Sequence, residues 1–169
     1  MLDQELEVAQ AAGRDGSFEE RMQAVRRQRE LRTTELFSVP GFEGIFRVEL
    51  RVLGVKRMND IAFQHTRQRN DSLRALYIQA DQLLAATVGF RMVQDDGSEA
   101  DAEGMSWLDA ARAYDPALDA TIRPRAALIR LLDDGKGVGE LHGDWYQWNT
   151  RGNEQVDGEL TEDFRGMPS

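Results

Sequence analysis

Phe46-Arg47-Val48-Glu49-Leu50-Arg51-Val52 alternates apolar and charged residues without a break. A period of two puts the apolar side chains on one face of a β-strand and the charged ones on the other. Upstream, Leu36-Phe37-Ser38-Val39 runs into Pro40-Gly41-Phe42-Glu43-Gly44, whose proline and glycines favour a turn. The two runs lie close enough for an antiparallel hairpin over 34–53, and such a hairpin is marginal until something covers its apolar face. The helices downstream are the obvious cover. The expected fold is therefore α+β and mainly helical: a small antiparallel β-hairpin sheet packed against about five helices, with flexible termini.

Working outward, residues from about 56 to 69 read as a helix with Met58, Ile61, Ala62 and His65 on one side. Asn70-Asp71-Ser72 supplies N-cap chemistry for a helix over 72–88, where Leu73, Leu76, Tyr77, Ala80, Leu83 and Leu84 recur at helical spacing. Gly89 stands where a left-handed C-cap residue belongs. Phe90 to Val93 suggests a third short strand closing on the turn Asp95-Asp96-Gly97-Ser98, and the acidic stretch 95–104 reads as an exposed loop. A short helix from Ser106 stops near Asp115-Pro116. Another spans 118–133 with Pro124 confined to its first turns, and Asp134-Gly135-Lys136-Gly137 ends it. Val138, Leu141, Trp145 and Trp148 mark a terminal helix to about 149. Upstream of the hairpin, Ser17-x-x-Glu20 is a capping box opening a mostly solvated helix over 18–32. The expected organisation is a flexible arm over 1–16, a single domain over 17–149 and an acidic disordered tail over 150–169.

The chain of 169 residues carries 21 Lys plus Arg against 30 Asp plus Glu, a net charge of −9. That argues against a nucleic-acid binder, which needs a clustered surplus of cations. The charge is uneven. Leu36 to Ala80 holds seven cations and four acids, a local +3, which leaves −12 for the remainder. Such polarity suits protein partners, including a second copy of the chain. Without cysteine there is no disulfide, thiolate metal site or Cys nucleophile. Met1-Leu2-Asp3-Gln4-Glu5 opens acidic rather than as a signal peptide, and the apolar runs are far shorter than the ~20 residues that span a bilayer. The protein is expected to be soluble and intracellular, with no membrane partner.

Catalytic templates fail at named positions. Gly135-Lys136-Gly137 lacks the Ser or Thr of a phosphate loop, and Arg130 occupies the place of its first glycine. Gly104-Met105-Ser106 lacks the second glycine of a nucleophile elbow, so Ser106 reads as an N-cap. Gly and Ala interrupt the acidic run 95–103 where a calcium loop needs ligands. His65, on an apolar helix face, reads as a packed residue rather than a general base. His142 with Asp144 offers two ligands, too few for a metal. No catalytic, cofactor or metal site is expected, and the chain is not read as an enzyme. Trp145, Tyr146 and Trp148 are the aromatic concentration. They dock the last helix on the core or form a partner-binding surface, since Trp and Tyr dominate interface hot spots.

The layout from Glu35-Leu36-Phe37-Ser38-Val39-Pro40-Gly41-Phe42-Glu43-Gly44 through the alternating strand to Leu76-Tyr77-Ile78-Gln79-Ala80-Asp81-Gln82-Leu83-Leu84-Ala85-Ala86-Thr87-Val88-Gly89 resembles the tail assembly chaperones of long-tailed (siphovirus-type) phages infecting actinobacteria. Pro124 to Leu132 and the terminal Trp145-Tyr146-Gln147-Trp148 fit the same arrangement, so the resemblance covers about residues 33–149. It implies a viral, non-enzymatic protein that binds the tape measure protein and keeps it soluble before the tail tube polymerises. It also implies action in the cytoplasm of the infected host, absence from the mature virion and a longer product made by programmed frameshifting. The alternative is a virion structural or adaptor protein of the phage tail or connector.

Overall fold

A computed structural model describes the backbone of residues 16–32 and 34–165, and the side chains of 16–26 and 34–151. The expected arm over 1–16 lies outside the described residues save for Gly16. The chain divides into two compact units, Met1–Thr34 and Glu35–Ser169. The first helix lies in the first unit, and the sheet from Glu35 onward lies in the second.

In the first unit, helix α1 spans Phe18–Arg32. Its start is the expected capping box: the Ser17 amide donates to Glu20 at 2.8 Å and the Glu20 amide donates to the Ser17 hydroxyl at 3.3 Å.

The second unit is α+β, with an antiparallel sheet of four strands in the order β1-β2-β3-β4. These are β1 (Thr34–Ser38), β2 (Phe46–Arg51), β3 (Thr87–Val93) and β4 (Glu99–Asp101). The helices are α2 (Val55–Gln64), α3 (Asp71–Ala86), α4 (Trp107–Tyr114), α5 (Pro124–Leu131) and α6 (Lys136–Arg165). Phe46, Val48 and Leu50 of β2 are buried as the alternation demands, with Phe90 of β3 opposite Val48. On the other face Arg47 donates to Glu99 of β4 at 2.9 Å and to the Leu36 carbonyl at 3.0 Å, so one guanidinium spans the width of the sheet. The Arg47 Nε is buried without a partner. The core is completed by Leu83 and Ala86 of α3, Trp107 of α4, Leu128 and Leu131 of α5, and Val138, Leu141 and Trp145 of α6.

Several boundaries differ from the sequence reading. Helix α2 ends at Gln64 rather than near 69, with His65 as its C-cap. Helix α3 ends at Ala86, and the chain passes straight into β3, so Gly89 is a strand residue and not a left-handed cap. Glu49 pairs with Gly89 and Leu50 with Thr87, leaving Val88 as the extra residue of a bulge. The bulge turns Thr87 toward the core, where its hydroxyl accepts the Trp107 indole N–H at 2.8 Å. The expected loop over 95–104 contains β4, held by edge pairing of Glu99, Ala100 and Asp101 with β3 beyond the Gly97 turn. Helix α5 begins at Pro124, not 118, because a proline N1 fixes φ and lacks the amide that an earlier turn would use. Helix α6 continues to Arg165 instead of stopping near 149 before a disordered tail. Its continuation contains good helix formers, Arg151, Glu154, Gln155, Glu159 and Leu160, and its isolated glycines weaken a helix without ending it.

Candidate functional site

The three aromatic residues named as a partner surface do not share one environment. Trp145 is fully buried and its indole N–H donates to the Arg51 carbonyl at 3.0 Å, so it has no face to offer a partner. Trp148 is half-buried with its ring edge-on to Phe37 of β1, centroids 5.7 Å apart. Tyr146 is 47% exposed and stacks on His142 at 5.7 Å. Trp145 thus lies in the core and Trp148 rests half-buried against β1, and Tyr146 is the most exposed of the three. One turn beyond Trp145, buried Asn149 completes the attachment: it accepts the Leu53 amide at 2.8 Å and donates to the Leu53 carbonyl at 3.2 Å. Polar Asn149 in line with Trp145 on an apolar helix face was the available sequence signal for this clamp.

Helix α3 supplies two adjacent polar anchors. Asp81 meets His65 Nε2 at 2.7 Å and accepts from Arg125 of α5 at 3.0 Å. The Arg125 guanidinium also lies 4.5 Å over the Tyr77 ring. Gln82, buried, accepts from His142 Nε2 at 2.7 Å. Burial holds the His142 pKa down at about 4, below the usual 6.5, so the ring is neutral near pH 7. Both histidines are packed residues with side-chain partners, and neither is placed beside a nucleophile. Asp144 is exposed and does not join His142 in a metal site; no group of three metal-ligating side chains occurs among the described residues.

Ser106 is the N-cap of α4. Its hydroxyl accepts the Asp109 amide at 3.2 Å while the Asp109 carboxylate accepts the Ser106 amide at 2.9 Å. Hydrogen bonding from the Ser106 side chain and then its amide lowers the Asp109 pKa. In the acidic loop, Asp96 is spent on a local turn, accepting from the Ser98 hydroxyl and amide, which likewise lowers its pKa. Gly135-Lys136-Gly137 is a junction between helices: Asp133 (φ 53), Asp134 (φ 49) and Gly135 (φ 110) are all left-handed, and α6 begins at Lys136.

A cleft of about 790 Å³ lies between the hairpin turn and that junction. Phe42 and exposed Tyr114, edge to face at 5.5 Å, form an aromatic wall, and Asp115, Asp133, Asp134 and Glu140 outnumber Arg130 and Lys136 around it. No protein-family model, curated protein or solved structure matches the chain. The cleft joins residues 40–42, 114–115 and 130–140, segments whose convergence no local sequence pattern announces. It brings together aromatic and charged side chains without a nucleophile and base pair, an arrangement suited to holding a polypeptide segment.

Proposed function

We propose that this chain is a tail assembly chaperone of a long-tailed phage, which binds the tape measure protein and keeps it soluble before the tail tube polymerises. The reading rests on the layout of hydrophobic phrases over about 33–149. The geometry supports it through large apolar side chains left in solvent on helix α2: Val55 at its start and Phe63, 75% exposed, near its end. An escort of a long amphipathic helix works through such separate weak contacts, repeated along the partner, rather than one closed interface. On this proposal the protein acts in the cytoplasm of the infected bacterium and departs before the particle matures.

Co-expression with the tape measure protein encoded beside it tests the proposal. The expected outcome is a soluble complex of the two proteins, with this chain absent from purified virions. Stoichiometric presence in mature particles overturns it in favour of a virion structural or adaptor role. A slippery heptamer with an overlapping frame near the stop codon is the expected finding in the nucleotide sequence.

A further inference from the structure

The acidic aromatic cleft and helix α1 have opposite characters. Four carboxylates and two cations line the cleft, a surplus of two negative charges, and Arg130 and Asp134 within that lining form an ion pair at 3.7 Å. Helix α1 carries five arginines, at 21, 26, 27, 29 and 32, against Glu19, Glu20 and Glu30, a sum of +2. Along it Phe18, Met22 and Val25 are exposed, with Phe18 at 78%. Spacing of i, i+4 and i+7 is the anchor pattern of a helix laid into a groove. A helix of 15 residues is also marginal in water unless its apolar stripe is covered.

From this complementarity of charge and apolar surface we infer that the cleft of one copy receives helix α1 of a second copy. Phe18 and Met22 pack against Phe42 and Tyr114, which brings a helix of net charge +2 against Asp115, Asp133 and Glu140. The giving and receiving surfaces differ, so two copies that exchange helices close a reciprocal pair, and copies that pass the helix onward build a ring or filament. The inference uses the chain's own surfaces and stands independently of tape measure binding.

Sedimentation of the full-length chain tests it with two variants at exposed positions: Phe18→Glu with Met22→Glu on the helix, and Tyr114→Glu with Glu140→Lys in the cleft. Wild type is expected to associate with rising concentration, less so in high salt, and each variant alone to associate at least tenfold more weakly. Mixed in equal amounts, the variants are expected to form a one-to-one complex that grows no further, because each supplies the surface the other lacks. Circular dichroism of each variant checks that its helices are retained. Glu140→Lys alone isolates the charge contribution, weakening association several-fold at low salt and little at high salt. A wild-type chain that stays monomeric, variants that associate undiminished, or a mixture that fails to recombine overturns the inference.

Discussion

Two histidines are held by neighbouring residues of one helix, yet their sites follow opposite rules. His65 meets a carboxylate, Asp81, in a half-open position where Arg125 shares the same oxygen and covers Tyr77. His142 meets an amide, Gln82, in a closed position between Trp145 and Tyr146. A carboxylate near solvent keeps much of its hydration and gains from the Arg125 guanidinium and the His65 ring beside it, whereas the same group at position 82 would be an ion in the core. A neutral acceptor there satisfies the imidazole N–H without importing charge. One step along α3 therefore separates a salt-sensitive tie between helices from an acid-sensitive one.

The largest test breaks the wall of the closed site. Trp145→Ala removes the ring beside His142 together with its hydrogen bond to Arg51, and is expected to cost about 3–5 kcal/mol in urea unfolding. Acid acts next. With His142 at about 4 when folded and near 6.5 when unfolded, the unfolded chain binds the extra proton between those values. The contribution of the neutral ring is fully present above 6.5, is lost as pH falls toward 4 and loses nothing more below that. The full loss is roughly 3 kcal/mol at 1.36 kcal/mol per pKa unit. His142→Phe is expected to flatten that part of the stability–pH curve; an unchanged slope would assign it to other groups.

Gln82→Leu leaves the His142 N–H buried without an acceptor, and about 1–3 kcal/mol is the expected cost, with little dependence on salt. Asp81→Asn weakens both ties at the open site. Its expected cost is about 1 kcal/mol and shrinks as ionic strength rises. Salt titration of the two variants side by side sharpens the contrast, and equal salt dependence would abolish it.

Helix α3 itself was legible because its signals are local: Asn70 caps it as the sequence suggests, its side chain accepting the Leu73 amide at 3.1 Å, and the apolar spacing follows at once. The alternation of β2 was legible for the same reason. Strand β4 was not, since Glu99-Ala100-Asp101 has no strand propensity and exists through edge pairing with β3. Thr87-Val88-Gly89 continued a helical pattern until partners across the sheet claimed it. The candidate site was legible only in its parts. His65, His142 and the aromatic trio stood out as residue types, but Asp81 lies 16 positions from the first histidine and Gln82 60 from the second. The cleft depends on three such distant segments meeting, and composition carries no record of that.

The Asn149 clamp on Leu53 also sets a schedule. Its two hydrogen bonds join residues 96 positions apart. At about 5–20 residues per second, the end of β2 leaves the synthetic machinery some 5–20 seconds before its last partner exists. During that interval the hydrogen bonds from Asn149 to Leu53 and from the Trp145 indole to the Arg51 carbonyl cannot form. A nascent chain stalled short of residue 149 therefore lacks the tie that holds helix α6 to the segment after β2.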